Sequence, residues 1–222
     1  MGRQADYKEH LYEQFARIGK VLGHPIRLEI LDLLAQGEHS VETLCEKIGA
    51  PLANVSQHLQ RLRGAKLVQV RRQGTYIFYR LADEEVSLAW QSIKKLAQQR
   101  YYELDRLMQD YQAKEVEVIS VEELLARLHD KDILLLDARP ADEYQAGHLP
   151  EALSLPINVL EDRLAHLPQD REFVAYCRNE YCLLSDELAL ALKQRGYQVK
   201  RLAQGVAEWK NQGHPLSSSD SG

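Results

Sequence analysis

Apolar residues recur every three or four positions from Tyr7 through Leu11, Phe15, Ile18 and Leu22, and the run stops at Gly23. That spacing gathers one face of a helix, and a glycine ends it. Pro25 opens a second helix carrying Ile26, Ile30, Leu33 and Leu34, which Gln36-Gly37 stops. Ser40 is placed to cap a short third helix, VETLCEKIG. A fourth, PLANVSQHLQRLRGAKL, sets Leu52, Val55, Leu59 and Leu62 on its buried side. The period then changes. LVQVRRQGTYIFYRL alternates about Gln73-Gly74, the pattern of a β-hairpin. Asp83–Tyr111 returns to helical spacing through Val86, Trp90, Ile93, Leu96, Tyr101, Leu104 and Leu107.

Beyond Gln112 the pattern becomes one of alternation between strands and helices. AKEVEVI reads as a connector, and Ser120 with Glu123 makes a capping box opening VEELLARLHD. DILLLDA, LSL, EFVAYC and QVKRLA read as strands. PADEYQAG, INVLEDRLAHL, LSDELALALKQRG and VAEWKNQG read as turns or helices between and after them. Such alternation predicts an α/β layer on a mostly parallel sheet, with ligand sites beyond the carboxyl ends of the strands. The 222 residues divide naturally into two domains of roughly 100 residues each.

Charge separates the halves. Residues 1–82 carry 12 Lys and Arg against 8 Asp and Glu, and residues 83–222 carry 16 against 25. Between Pro51 and Leu81 there are six basic residues and no acidic one, so a polyanion partner is expected on that face. On the fourth helix, Asn54, Gln57, His58 and Arg61 turn away from the apolar stripe, with Ser56 at its edge. These side chains can hydrogen-bond base edges or phosphates, and Arg71 and Arg72 of the hairpin can follow the backbone of a duplex. A helix, a turn, a second helix and a basic hairpin make a winged helix-turn-helix.

There is no apolar run near ~18 residues and no charged-then-apolar leader, so neither a membrane span nor a secretory signal is expected. Three cysteines argue against a secreted disulfide framework, and the expected compartment is the cytoplasm.

Residues 10–82 resemble the ArsR/SmtB winged-helix repressors, through HPIRLEIL, VSQHLQRL and RRQGTYIFYRL in that order. The resemblance implies a homodimer, joined through helix 83–111, on a palindromic double-stranded DNA operator. It departs from the metal-sensing members: Ser40 and Glu42 stand where a thiol pair would sit, and ADEEVSLAWQSIKK holds no His. No metal and no cofactor are therefore expected, and Cys45 reads as a packed free thiol.

The other two cysteines fall together in YCRNEYCLL. Cys177 ends a strand, and the helix expected over 183–195 points its N-terminus back at the loop. That favours an anion or a thiolate, with Arg178 adding positive charge. Residues 116–216 resemble a rhodanese domain through LLDARPADEYQAGHLPEALSLP, YCRNEYC and LAQGVAEWKNQGHPL. The resemblance implies that Cys177 takes a sulfur from a small donor such as thiosulfate or a persulfide. The N–H groups of the active loop (Arg178, Asn179, Glu180, Tyr181, Cys182, Leu183) would cradle the product. Two departures matter: Glu180 stands at the usual Gly and Cys182 at the usual second Arg. Cys182 can resolve a persulfide into a disulfide if the two Cα atoms come within ~7 Å. Leu183 leaves no arginine for a cysteine-phosphatase clamp. Asp137, Arg139 and His148 are read as structural.

The expected architecture is an α+β winged helix-turn-helix and dimerisation domain (1–112), a linker (113–119) and an α/β rhodanese-like domain (120–222). Three functions stay open: a transcriptional regulator sensing or transferring sulfane sulfur through a persulfide on Cys177, a sulfurtransferase with an uncoupled autoregulatory DNA-binding domain, or a Cys177–Cys182 redox switch.

Overall fold

The computed structural model describes residues 3–127 and 133–218. The expected end of the helix opened by Ser120, at Leu128–Asp130, and the first residue of the next expected strand, Asp132, lie outside the described residues. Contacts divide the chain into two compact units, Met1–Lys95 and Leu96–Gly222.

In the first unit, α1 (Arg3–Leu22) precedes α2 (Pro25–Leu34), β1 (His39–Ser40), α3 (Val41–Ile48) and α4 (Leu52–Gly64). The hairpin β2 (Val68–Gln73) and β3 (Tyr76–Leu81) follows, and then α5 (Glu84–Arg100), whose last residues fall in the second unit. The local signals operate as the chemistry requires. Ser40 accepts the Thr43 N–H at the start of α3, and Gly49 ends that helix in the left-handed conformation at φ 70°. Gly74, at φ 59°, turns the hairpin, which pairs in register from Val68 with Leu81 to Gln73 with Tyr76. The core is Ile30, Leu31, Leu44, Val55, Leu59 and Leu62, none more than 1% exposed. Leu52, expected on the buried stripe of α4, is exposed instead. It is the first residue of the helix and lies a turn short of the packed face. Trp90 and Lys94 of α5 reach Asp32 of α2 at 2.9 and 3.1 Å, which fastens that helix to the core.

The helix expected without a break over 83–111 is two. Tyr101 is extended (φ −117°, ψ 96°), and α6 (Tyr102–Tyr111) starts after it.

The second unit holds a five-stranded, wholly parallel sheet. Its strands are β4 (Glu117–Ile119), β5 (Ile133–Asp137), β6 (Leu153–Ser154), β7 (Glu172–Tyr176) and β8 (Gln198–Leu202), in the order β4-β8-β7-β5-β6. Part of the expected connector is thus the edge strand β4, too short for its alternation to register in the sequence. Helices α7 (Val121–Arg127), α8 (Ala141–Ala146), α10 (Leu184–Gln194) and α11 (Val206–Asn211) cover the sheet. The helix expected from INVLEDRLAHL is only α9 (Leu160–Arg163) between two 3₁₀ turns. Both sheet faces are buried, as a parallel sheet demands: Leu135, Val174, Tyr176 and Trp209 lie in one core, and Leu136, Phe173, Ala175 and Leu188 in the other.

Candidate functional site

In the first unit, Gln57 and Arg61 of α4 and Arg71 and Arg72 of the hairpin are exposed, while Asn54 and Ser56 are half-buried. Arg71 is not a free charge. Its guanidinium forks onto Glu38 and lies 4.7 Å over the Phe78 ring. His58, expected on the open face of α4, is buried. The reason is Arg27, a buried cation of α2 that donates to the carbonyls of Lys20 and Val21 at the end of α1. Its remaining guanidinium nitrogen donates to His58 Nδ1 at 3.3 Å, and the His24 ring packs 4.2 Å from the His58 ring. An arginine cannot accept a hydrogen bond, so His58 Nδ1 is unprotonated here.

Burial, followed by the charges of His24, Arg27 and Arg61, pushes the His58 pKa down. The unfolded ring titrates near ~6.5, so below that pH the unfolded chain takes up a proton that the native state refuses. Stability is therefore full above the unfolded value and is lost as pH falls toward the native one. In urea titrations of the full chain, the transition of this unit is expected to move to lower urea between about pH 7.5 and about pH 5.5. His58→Gln is expected to flatten that dependence.

Cys45 packs against the same core, and burial with Glu42 and Glu46 pushes its thiol pKa up. It stays protonated and unreactive.

In the second unit, β7 delivers Cys177 to the carboxyl edge of the sheet, 2% exposed. Cys177 and Cys182 are joined by a disulfide, with a Cα–Cα distance of 6.1 Å. The loop between them is tightly wound. Asn179 Oδ1 accepts the Tyr181 N–H at 3.0 Å, and the Asn179 carbonyl accepts the Cys182 N–H at 3.2 Å. Two of the N–H groups expected to cradle an anion are thus engaged inside the loop in its disulfide form. Glu180, Tyr181, Cys182 and Leu183 are half-buried.

Arg178 does not point a spare charge at the cysteines. It makes a two-pronged pair with Glu143 of α8, at 2.8 and 2.7 Å, and Glu143 is fully buried. The arginine therefore anchors the loop to α8. Asp137 and Arg139 are fully buried and paired through Arg139 Nε at 3.0 Å and Nη2 at 2.6 Å, and Nη2 also holds the Gly147 carbonyl at 2.7 Å. His148 is structural: its Nδ1 meets the Tyr144 carbonyl at 2.9 Å, and its ring stacks on Tyr144.

Among the residues missed by sequence reasoning are those at the start of α11. The N–H groups of Val206 and Ala207 donate to the carbonyls of Cys177 and Arg178, both at 3.1 Å. Gly205 lies so close that a Cβ there would stand 2.3 Å from the Asn179 nitrogen and 2.5 Å from the Cys177 oxygen. The glycine in LAQGVAEW was the only available signal. An apolar cleft of about 580 Å³ in the second unit is lined by Pro140, Tyr144, Pro156, Ile157 and Leu184 among others. Its Ala138 wall is bonded to the Tyr176 carbonyl, and Leu184 lies two residues beyond Cys182.

Comparison with known proteins agrees with both halves. Residues 22–71 match the helix-turn-helix domain family and residues 120–212 the rhodanese-like domain family. The HTH-type transcriptional regulator Rv0324 of Mycobacterium tuberculosis is 40% identical over 216 residues, 97% of this chain and 96% of that protein. A sulfurtransferase of Allochromatium vinosum is 37% identical over 103 residues, 46% of this chain and 94% of that one. The solution structure of the homodimeric winged helix-turn-helix DNA-binding domain of Mb0332 from Mycobacterium bovis is 41% identical. It covers 46% of this chain and 95% of its own, with a TM-score of 0.43. With a relative this similar along nearly its whole length, the chain belongs to the family in which an ArsR/SmtB-like winged helix-turn-helix domain is fused to a C-terminal rhodanese-like domain.

Proposed function

We propose that the protein is a transcriptional regulator whose rhodanese-like domain is a thiol–disulfide switch, closed by reactive sulfur and opened by thiols. The observation that carries this reading is the Cys177–Cys182 disulfide across a six-residue loop of the rhodanese-like domain. A second thiol at position 182 makes a stored persulfide short-lived. The chemistry balances in two steps. The Cys177 thiolate takes the outer sulfur of a persulfide R–S–SH and releases RSH. The Cys182 thiolate then attacks the Cys177 sulfur, forms the disulfide and expels hydrosulfide. Two protein thiols are oxidised, and the sulfane sulfur is reduced.

In the DNA-binding domain, Asn54, Ser56, Gln57 and Arg61 would read the major groove, and Arg71 and Arg72 would meet the phosphates. His58 is withdrawn from that set by its burial. Tyr7, Tyr12, Phe15 and Ile18 of α1 are exposed together with Leu88 of α5. Large apolar side chains left exposed on these two helices are of the kind that self-association of two copies would cover. No helix among the described residues is long and apolar enough to cross a membrane. The second reading, a persulfide-carrying sulfurtransferase, is favoured by the similarity to the Allochromatium vinosum enzyme.

Intact mass separates the two. Reduced full-length protein treated briefly with polysulfide is expected to lose two hydrogens and keep no extra sulfur. Cys182→Ser is expected to gain one sulfur that dithiothreitol removes. A lasting added sulfur on the unaltered chain would instead establish the carrier reading.

A further inference from the structure

Gln112, the residue that ends α6, is bound by three elements at once. Its backbone N–H caps the helix on the Met108 carbonyl at 2.8 Å. Its side-chain Nε2 donates to the carbonyl of Glu180, in the middle of the disulfide loop, at 2.9 Å. Its Oε1 accepts from Arg201 of β8 at 3.3 Å. The next residue is held as well: the Ala113 N–H donates at 3.1 Å to Asp186 in the first turn of α10. Asp186 and Arg201 are themselves buried and paired at 3.3 Å. The end of α6, the loop, α10 and β8 thus close a ring of bonds inside the second unit. At its centre an amide is oriented so that its donor end reads one loop carbonyl.

The position of that carbonyl depends on the cysteines. Glu180 lies between Cys177 and Cys182, and the turn carrying it closes on the Cys182 N–H. Reduction frees Cys182 and removes the covalent reason for the turn. We propose that Gln112 is a positioning residue that holds the loop in its disulfide form and passes the opening of that loop to the end of α6. This is the stretch through which the chain runs back to the DNA-binding domain. The inference rests on the redox reading above and adds the residue through which the switch is read.

Two measurements on the full-length chain test it. In the first, the dithiol–disulfide ratio of Cys177 and Cys182 is read by thiol alkylation and mass in mixtures of reduced and oxidised dithiothreitol. The dithiol supplies two electrons and two protons and becomes its cyclic disulfide. Gln112→Glu keeps the acceptor for Arg201 but loses the donor to Glu180, and it is expected to shift the ratio about threefold to tenfold toward the dithiol. Lys114→Ala, exposed two residues on, is the control and is expected to leave it unchanged. In the second, hydrogen exchange over residues 102–116 is expected to quicken on reduction of the unaltered protein and to be fast in both states of Gln112→Glu. A ratio and an exchange pattern in Gln112→Glu identical to those of the unaltered chain would overturn the role of Gln112 while leaving the switch intact. If no disulfide forms under any oxidant, the redox reading itself falls, and this inference with it.

Discussion

Gly205→Ala is expected to break the loop that carries the cysteines, although position 205 is 28 residues from Cys177 in sequence. The glycine is required for closeness, since its φ of −114° is open to any residue. The new methyl carbon would stand 2.3, 2.4 and 2.5 Å from backbone atoms of Asn179, Arg178 and Cys177, none of which can swing aside as a side-chain tip could. The loop or α11 must shift, and the bonds from Val206 and Ala207 to the Cys177 and Arg178 carbonyls are lost with the shift. Overpacking of this kind costs about 1–3 kcal/mol or more, and each buried carbonyl left unmet adds to it. The measurement is the melting temperature of the second unit together with the rate at which Cys177 and Cys182 oxidise. Both are expected to drop, and an unchanged pair of values would show that the packing against α11 does not shape the loop.

Arg139→Ala is expected to be the most destabilising single change in the second unit. Arg139 and Asp137 have no exposed surface and neutralise each other, and Arg139 also satisfies the Gly147 carbonyl at the end of α8. Removing the cation strands a buried carboxylate, a loss of about 3–5 kcal/mol against a typical domain stability of about 5–15 kcal/mol. Part of the loss is expected to return in the double variant Asp137→Asn, Arg139→Ala, because the unpaired charge is gone. Urea unfolding of the unaltered chain and the two variants measures it. A double variant no more stable than Arg139→Ala alone would place the cost in lost packing rather than in the charge.

The parts of the structure that were legible in the sequence are those set by local chemistry. Periodicity, Ser40, Gly49 and the Gln73-Gly74 turn act within a few residues of themselves, and the elements they predict are present. The alternation of strands with helices along the second half likewise foretold a mostly parallel sheet. What escaped was tertiary. His58 lies on the polar face of α4 by spacing, but a buried arginine 31 residues away draws it inward. Arg178 looked like a charge for an anion until Glu143, in a helix whose apolar face is too short to read, proved to be its partner. The break at Tyr101 has no proline or glycine to announce it, and β4 is three residues long. Cys177 and Cys182 could be singled out because two thiols in one loop are rare in so cysteine-poor a chain, and the 6.1 Å between their Cα atoms meets the condition for their bond.

In the proposed function, the chemical state of the Cys177–Cys182 loop sets the affinity of the DNA-binding domain. The most direct measurement is binding of full-length protein to one duplex, selected from a randomised library by the reduced form, at a single fixed salt concentration. Fluorescence anisotropy would be read for the dithiol, the disulfide and Cys182→Ser after the same oxidant. Salt is held fixed because phosphate contacts alone move such affinities by orders of magnitude. The dithiol and the disulfide are expected to differ by about fivefold or more, and Cys182→Ser is expected to bind alike before and after treatment. Equal affinities for the dithiol and the disulfide would show that the loop does not control DNA binding.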